Sequence, residues 1–145
     1  MRLTMRSGLM ALAALAFAGR AAMAADRPPP PPAPIVFFDI AGPDLAKLRS
    51  FYGETFGWKV GPSGLVGKDS TGVLDGTLRQ DPSQKILYLG VPDVSAALRA
   101  VTAAGGKDIQ PRFVVPGVLI LGLFTDPAGN AMGLVEIKDG KPIVP

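Results

Sequence analysis

The sequence predicts an α+β fold made of two tandem βαβββ modules. A strand–helix–strand unit at residues 35–60 returns at residues 85–110, and each copy is followed by turn residues and further short apolar runs. Asp44 before the first helix corresponds to Asp93 before the second, 49 positions later. The glycines that end the two helices, Gly57 and Gly106, are separated by the same 49 positions. Repetition at one spacing indicates an internal duplication, although matched strand–helix–glycine units also arise by chance in α/β proteins.

In the first module, an apolar run over residues 35–40 predicts a strand, which is interrupted only by Asp39. The helix is expected over about residues 44–56, because apolar and aromatic side chains recur there at helical spacing. These are Leu45, Leu48, Tyr52 and Phe56. Gly57 is expected to end this helix in a left-handed conformation. Three strands should follow, at residues 58–60, 65–68 and 73–79, separated by turns.

The second module repeats this order. Its helix is expected over residues 93–104, with Val94, Ala97, Leu98 and Val101 on the buried face. Apolar strands are predicted at residues 118–124 and 131–138, on either side of an Asp-Pro-Ala-Gly-Asn turn. On the first strands of the modules, Phe38, Ile40, Leu87 and Leu89 should pack under the helices, because strand residues alternate between faces.

The chain begins with the features of a secretory signal peptide over residues 1–24. Arg2 and Arg6 precede a short apolar run, and Ala22-Met23-Ala24 forms a cleavage site before Ala25. A periplasmic or secreted protein is therefore expected, with a retained N-terminal anchor as the alternative. Residues 25–34 are a proline-rich linker, residues 35–137 the folded domain and residues 138–145 a C-terminal tail.

Removing the signal peptide changes the charge balance. The full chain has 15 basic and 12 acidic residues, but three arginines lie in the signal, so the mature chain has zero formal net charge. We therefore expect no nucleic-acid partner and no membrane association of the mature form. The chain has neither histidine nor cysteine, which excludes disulfides and Ser-His-Asp or Cys-His nucleophile sites.

The duplicated pattern resembles the vicinal oxygen chelate superfamily, which includes glyoxalase I, extradiol dioxygenases, fosfomycin-resistance enzymes and bleomycin-binding proteins. The motifs PDLAKLRSFYGETFGWKV and TDPAGNAMGLVEI carry the resemblance, which covers residues 35–137. It implies that the modules form a pair of mixed-sheet half-barrels around a cup-shaped site. It also implies a homodimer.

Metal-dependent members of this superfamily place a histidine on the first strand and a glutamate on the last strand of each module. The corresponding positions here are Phe37, Ile86 and Gly133, with the fourth between residues 73 and 78, where Asp75 is the only carboxylate. Transition metals in such sites bind imidazole nitrogens and carboxylate oxygens. We therefore expect no metal and no other cofactor.

Two side chains could serve another chemistry. Asp39 lies two residues after Phe37 and should share its face. Tyr88 is its counterpart in the second module, so a carboxylate and a phenol could bind a polar ligand or exchange protons in the cup. The alternative is that Asp39 is neutralised by a backbone N–H or an arginine while Tyr88 fills the core. Glu136, an odd number of residues from Gly133, should face away from the cup, towards the surface or a dimer contact.

The expected function is binding of a small molecule in the cup, without the superfamily's catalytic metal. The cup-facing residues expected to contact it are Phe37, Asp39, Ile86, Tyr88 and Gly133. The sequence assigns no catalytic residue. A lyase, isomerase or dioxygenase-type enzyme of the same superfamily is one alternative, and a structural or partner-binding module is another.

Overall fold

The structure, a computed structural model, describes residues 28–145. The expected signal peptide and the first residues of the linker lie outside this described part. Residues 28–34 contain no helix or strand, and the compact unit runs from Ala33 to Pro145. Within residues 28–145, no helix has the length and apolar character needed to cross a membrane.

The compact unit contains three helices and eight strands. The helices are α1 (Leu45–Phe56), α2 (Lys68–Thr71) and α3 (Val94–Ala103). The strands are β1 (Ile35–Gly42), β2 (Leu65–Val66), β3 (Asp75–Gln80), β4 (Gln84–Val91), β5 (Lys107–Val115), β6 (Leu119–Thr125), β7 (Ala131–Lys138) and β8 (Lys141–Pro142).

All eight strands join one sheet in the order β2-β3-β1-β4-β7-β6-β5, with β8 paired to β7. In each module the first strand lies parallel to the last, β1 beside β3 and β4 beside β7. The two first strands, β1 and β4, pair antiparallel at the centre. This arrangement of two related modules confirms the predicted α+β fold class.

Both long helices begin where the sequence predicts, because an aspartate caps each of them. The carboxylate of Asp44 accepts a hydrogen bond from the Lys47 N–H at 3.0 Å, and that of Asp93 accepts one from the Ala96 N–H at 2.8 Å. Such caps satisfy N–H groups that have no partner inside the helix. At the end of α1, Gly57 has a φ of 70°, the left-handed conformation expected of it.

The first module departs from the predicted strands between residues 58 and 74. The strand expected at residues 58–60 is reduced to a single bridge between Val60 and Val66. The turn expected after residue 68 is instead the one-turn helix α2, and β3 begins at Asp75 rather than at residue 73. The turn after Val60 and the helical turn of α2 occupy most of this segment, so few of its residues can pair with a neighbouring strand.

The hydrophobic core has two parts, one on each face of the sheet. The first includes Phe37, Ile86, Tyr88, Leu119 and Val135. The second lies against α3 and includes Val94, Leu98, Phe124 and Leu134. In contrast, none of the residues of α1 is buried, and Phe56, expected on its buried face, is 60% exposed.

Leu87 does not pack under a helix as expected. It is 44% exposed, although it lies opposite Phe38 in the β1–β4 pair. The reason is the position of the helices: α1 contacts β1 and β3, whereas α3 contacts β5, β6 and β7. The outer face of β4 at Leu87 is therefore left open to solvent.

Candidate functional site

A cavity of about 440 Å³ lies on the face of the sheet opposite the two long helices, α1 and α3, and we call it the cup. One side of the cup carries its polar residues, Asp39, Thr77, Arg79, Asp81, Gln84 and Tyr88. The rest of its wall is apolar and consists of Phe37, Leu65, Ile86, Phe113, Val115, Val118, Leu119, Leu121 and Leu123. A polar cluster therefore faces an apolar wall supplied mainly by β5 and β6.

Four of the five residues proposed from the sequence line this cup, namely Phe37, Asp39, Ile86 and Tyr88. Strand alternation accounts for this, because Phe37 and Asp39 are at positions i and i+2 of β1, and Ile86 and Tyr88 are at positions i and i+2 of β4. Gly133 pairs with Tyr88 across β4 and β7, but the Tyr88 ring covers it. Ligand contact by these residues stays a prediction.

The polar side is organised by an ion cluster of two carboxylates around one guanidinium. The Nε of Arg79 donates to the Oδ2 of Asp39 at 2.5 Å, and a second nitrogen donates to the carboxylate of Asp81. Asp39 is only 4% exposed, and its Oδ1 has no hydrogen-bond partner among the described residues. The parallel pairing of β1 with β3 brings Asp39 and Arg79 together. Asp39 lies opposite Thr77, and Arg79 follows Thr77 by two residues on the same face of β3, so the two side chains are diagonal neighbours.

Burial and charge shift the proton affinities of this cluster. Burial raises the pKa of the Asp39 carboxyl, and its contacts with Arg79 oppose this shift without reversing it. Burial alone would lower the pKa of Arg79, but its hydrogen bonds and attraction to Asp39 and Asp81 raise it instead. Burial, together with the charge of Asp39, raises the pKa of Tyr88 to about 12. Tyr88 is therefore a neutral phenol and Arg79 a permanent cation near neutral pH.

The sequence left two hypotheses for Asp39 and Tyr88, polar groups of the cup or residues with a structural role, and the structure has features of both. Arg79 neutralises Asp39, and Tyr88 is 5% exposed within the core, edge-on to Phe37 at 5.7 Å between ring centroids. Nevertheless, both side chains also line the cup. Aromatic packing of this kind holds the Tyr88 ring in a defined orientation.

The structure also defines the fourth position of the superfamily's metal pattern. In the second module, Gly133 pairs with Tyr88. In the first module, the residue that corresponds to Tyr88 is Asp39, and it pairs with Thr77. The equivalent of Gly133 is therefore Thr77. Asp75 lies two residues earlier, and its carboxylate accepts a hydrogen bond from the Lys68 N–H at 2.8 Å.

These residues do not fit the metal of the superfamily's enzymes. Phe37 and Ile86 have no donor atom, Gly133 has no side chain, and Thr77 offers only a hydroxyl. Residues 28–145 contain no group of three or more histidine, cysteine, aspartate or glutamate residues able to hold a metal ion. Asp39, which lies opposite Thr77 in the β1–β3 pair, is already bound to a cation, Arg79.

Sequence reasoning missed four polar residues of the cup, Thr77, Arg79, Asp81 and Gln84. Alternation shows that Thr77 and Arg79 share a face of their predicted strand, but only the observed register with β1 shows that this face lines the cup. Asp81 and Gln84 flank the turn between β3 and β4, where side-chain direction depends on the turn rather than on alternation.

Glu136 faces away from the cup, as expected. It binds Arg112 through two hydrogen bonds of 2.8 and 2.9 Å, which link β7 to the edge strand β5. Hydrogen bonding to Arg112 lowers the pKa of Glu136. Within the chain, this carboxylate therefore has a structural partner outside the cup.

Comparison with known families identifies the domain. The family model described as a glyoxalase-like domain matches residues 35–135, which is nearly the whole sheet. The chain belongs to this glyoxalase-like family. No protein with a curated description matches it significantly.

Solved structures share the fold of this glyoxalase-like domain. Methylmalonyl-CoA epimerase from Mycobacterium tuberculosis is 15% identical, with a TM-score of 0.54 over 77% of this chain and 93% of that one. A Streptomyces coelicolor methylmalonyl-CoA epimerase in complex with 2-nitronate-propionyl-CoA is 17% identical, with a TM-score of 0.51 over 71% and 96%. A glyoxalase/bleomycin resistance protein/dioxygenase superfamily member from Vibrio splendidus 12B01 is 15% identical, with a TM-score of 0.50 over 72% and 97%. At these identities the likeness concerns the fold alone.

Proposed function

We propose that this glyoxalase-like protein binds a small molecule in its cup and does so without the catalytic metal of the superfamily. The observation that carries the proposal is the cup itself, about 440 Å³ with a polar cluster facing an apolar wall. Ligand sites in proteins have this size and composition, since apolar walls supply affinity and a few polar groups fix orientation.

The ion cluster supports a binding role over a purely structural one. Burying charges costs free energy that their attraction only partly offsets, and almost all buried polar atoms in proteins have a hydrogen-bond partner. Here the Oδ1 of Asp39 has none among the described residues. A polar cluster retained in a largely apolar cavity, with one oxygen left over, is an arrangement that a ligand can complete.

Titration with the neutral apolar dye N-phenylnaphthylamine, followed by fluorescence, tests this proposal. A Leu65→Trp substitution should weaken dye binding, because Leu65 lines the cup and the larger ring would occupy part of its volume. Leu87→Trp is the matched control: Leu87 is a similarly exposed leucine, 44% against 46%, on the other face of the sheet.

The proposal predicts saturable binding to the wild type and to Leu87→Trp, with at least about tenfold weaker binding to Leu65→Trp, which corresponds to about 1.4 kcal/mol. Binding that is absent from the wild type, or that both substitutions leave unchanged, would contradict binding in the cup.

We also propose that the protein is exported. The basic residues, short apolar run and A-x-A site of residues 1–24 support this proposal. Protein recovered from the native host should then begin within a residue or two of Ala25, as read by N-terminal sequencing. Retention of Met1 would refute export with cleavage.

A homodimer is the assembly we propose for the mature protein. Two large apolar side chains on α1 support an interaction surface there, since Phe51 is 54% and Phe56 60% exposed. Light scattering at micromolar concentration should give the mass of a dimer. A monomer at that concentration would count against this proposal.

A further inference from the structure

The charges that line the cup do not balance. Its charged residues are the carboxylates of Asp39 and Asp81 and the guanidinium of Arg79. Because the wild-type cup carries two acidic groups and one basic group, its formal charge is negative by one unit when both carboxylates are ionised. The apolar wall opposite contributes no compensating charge.

The Arg79 guanidinium is not free to form an ion pair with an anionic ligand, because it already has two carboxylate partners. Arg79 already donates to Asp39 at 2.5 Å through Nε and to Asp81 through a second nitrogen. A ligand carboxylate approaching it would therefore meet a cation whose charge two carboxylates already offset. Like-charge repulsion from Asp39 and Asp81 would oppose its binding.

The Oδ1 of Asp39 supplies a second indication. This residue is 4% exposed, lines the cup, and keeps one carboxylate oxygen without a hydrogen-bond partner among the described residues. A buried acceptor of this kind favours a ligand that brings a hydrogen-bond donor or a positive charge, since leaving it unsatisfied costs free energy. Three aromatic side chains, Phe37, Tyr88 and Phe113, also line the cup, and aromatic faces attract cations.

On the premise that the cup binds a small molecule, we propose that its ligands are apolar or aromatic molecules that carry a protonated amine. The amine lies beside Asp39 and Asp81, and the apolar body packs against the wall formed by β5 and β6. Burial of Asp39 strengthens the effect, because a charge interaction is larger where water is excluded.

Three probes that share an indole body test the proposal by isothermal titration calorimetry near neutral pH: tryptamine is a cation, tryptophol is neutral and indoleacetate is an anion. Tryptamine should bind most tightly and indoleacetate most weakly, with a difference of at least about tenfold, as expected for a unit charge next to a partly buried one.

Substitutions that remove one negative charge from the cup should reduce the differences in affinity among the three probes. Asp39→Asn and, as a second variant at a more exposed site, Asp81→Asn should weaken tryptamine binding by at least about tenfold while changing tryptophol binding by less than about threefold. Asp108→Asn is the control, because Asp108 is an exposed carboxylate that does not line the cup.

The outcomes separate this inference from the proposed function. Equal binding of the three probes, or tightest binding of indoleacetate, overturns the ligand class while leaving a cup that binds small molecules. A tryptamine preference that survives both Asp39→Asn and Asp81→Asn also overturns it, since the charge would then come from elsewhere. If neither the three probes nor N-phenylnaphthylamine binds, the proposed function and the ligand class fail together.

Discussion

The ring of Tyr88 lies directly over Gly133, in the space that a β-carbon at position 133 would need. The parallel pairing of β4 with β7 sets these two residues side by side on one face of the sheet. Glycine is therefore required at position 133 by packing rather than by backbone conformation. The same contact places an aromatic ring where metal-dependent members of the superfamily place a carboxylate.

Gly133→Ala should consequently destabilise the protein by about 1–3 kcal/mol, the usual cost of overpacking a core. The free energy of unfolding in urea measures this change. Gly53→Ala is the control, because a β-carbon there meets its nearest atom at an ordinary 3.5 Å. Since Gly53 lies inside α1, its replacement should instead stabilise the protein by about 0.5–1 kcal/mol.

A Tyr88→Ala background tests the cause. Without the ring, the added methyl group has space, and Gly133→Ala should cost less than about 0.5 kcal/mol. An equal cost in both backgrounds would show that the Tyr88 ring is not what excludes a side chain at position 133.

The two long helices should differ in how much they stabilise the fold. Leu98 on α3 is 4% exposed, so Leu98→Ala should cost about 2–5 kcal/mol. Leu48 on α1 is only half-buried, and Leu48→Ala should cost about 1 kcal/mol. Urea unfolding of both variants checks the order. Equal costs would contradict the weaker packing of α1.

The raised pKa of Asp39 predicts a pH-dependent effect of Asp39→Asn. A carboxyl group whose folded pKa lies above its ordinary value of about 3.9 binds protons more readily in the folded state. Its contribution to stability is present in full below the unfolded pKa and is lost as the pH rises through the folded one. The unfolding free energy of the wild type, minus that of Asp39→Asn, should therefore fall as the pH rises from about 4 towards neutrality.

Unfolding curves at several pH values measure this difference, with Asp108→Asn showing the effect of removing an exposed carboxylate. A difference that grows with pH would mean that Arg79 stabilises the ionised form of Asp39 by more than burial destabilises it.

Local signals made the helices and strand faces predictable. Asp44, Asp93 and Gly57 act on their own neighbours in the chain, so the sequence places both long helices to within a residue of their observed ends. Alternation along β1 and β4 likewise places Asp39 and Tyr88 on the cup side. These features need no knowledge of which strands pair.

Features that depend on pairing were not predictable in the same way. The contact between Asp39 and Arg79 joins residues 40 positions apart and requires the parallel register of β1 with β3. The exposure of Leu87 depends on where the helices lie across the sheet, which no local pattern of β4 specifies. Between residues 58 and 74, the shortness of β2 and the single bridge at Val60 reflect competition between turns and strand pairing within one segment.

The last prediction concerns metal. The superfamily's enzymes use a cation to stabilise charge that develops on substrate oxygens, which requires several fixed ligands and an open position. In this chain Phe37 and Ile86 offer no lone pair, the Tyr88 ring fills the space at Gly133, and Asp39 is bound to Arg79. A metal ion in this place would have to displace both an aromatic ring and a guanidinium.

We therefore expect the purified protein to bind no stoichiometric zinc, nickel, manganese or iron by elemental analysis, and to show no glyoxalase activity when these metals are added. Tight one-to-one binding by the wild type that disappears in Asp39→Ala would overturn this prediction, because it would show that Asp39 exchanges Arg79 for a metal ion. Such a result would also favour an enzyme of the superfamily over a protein that only binds its ligand.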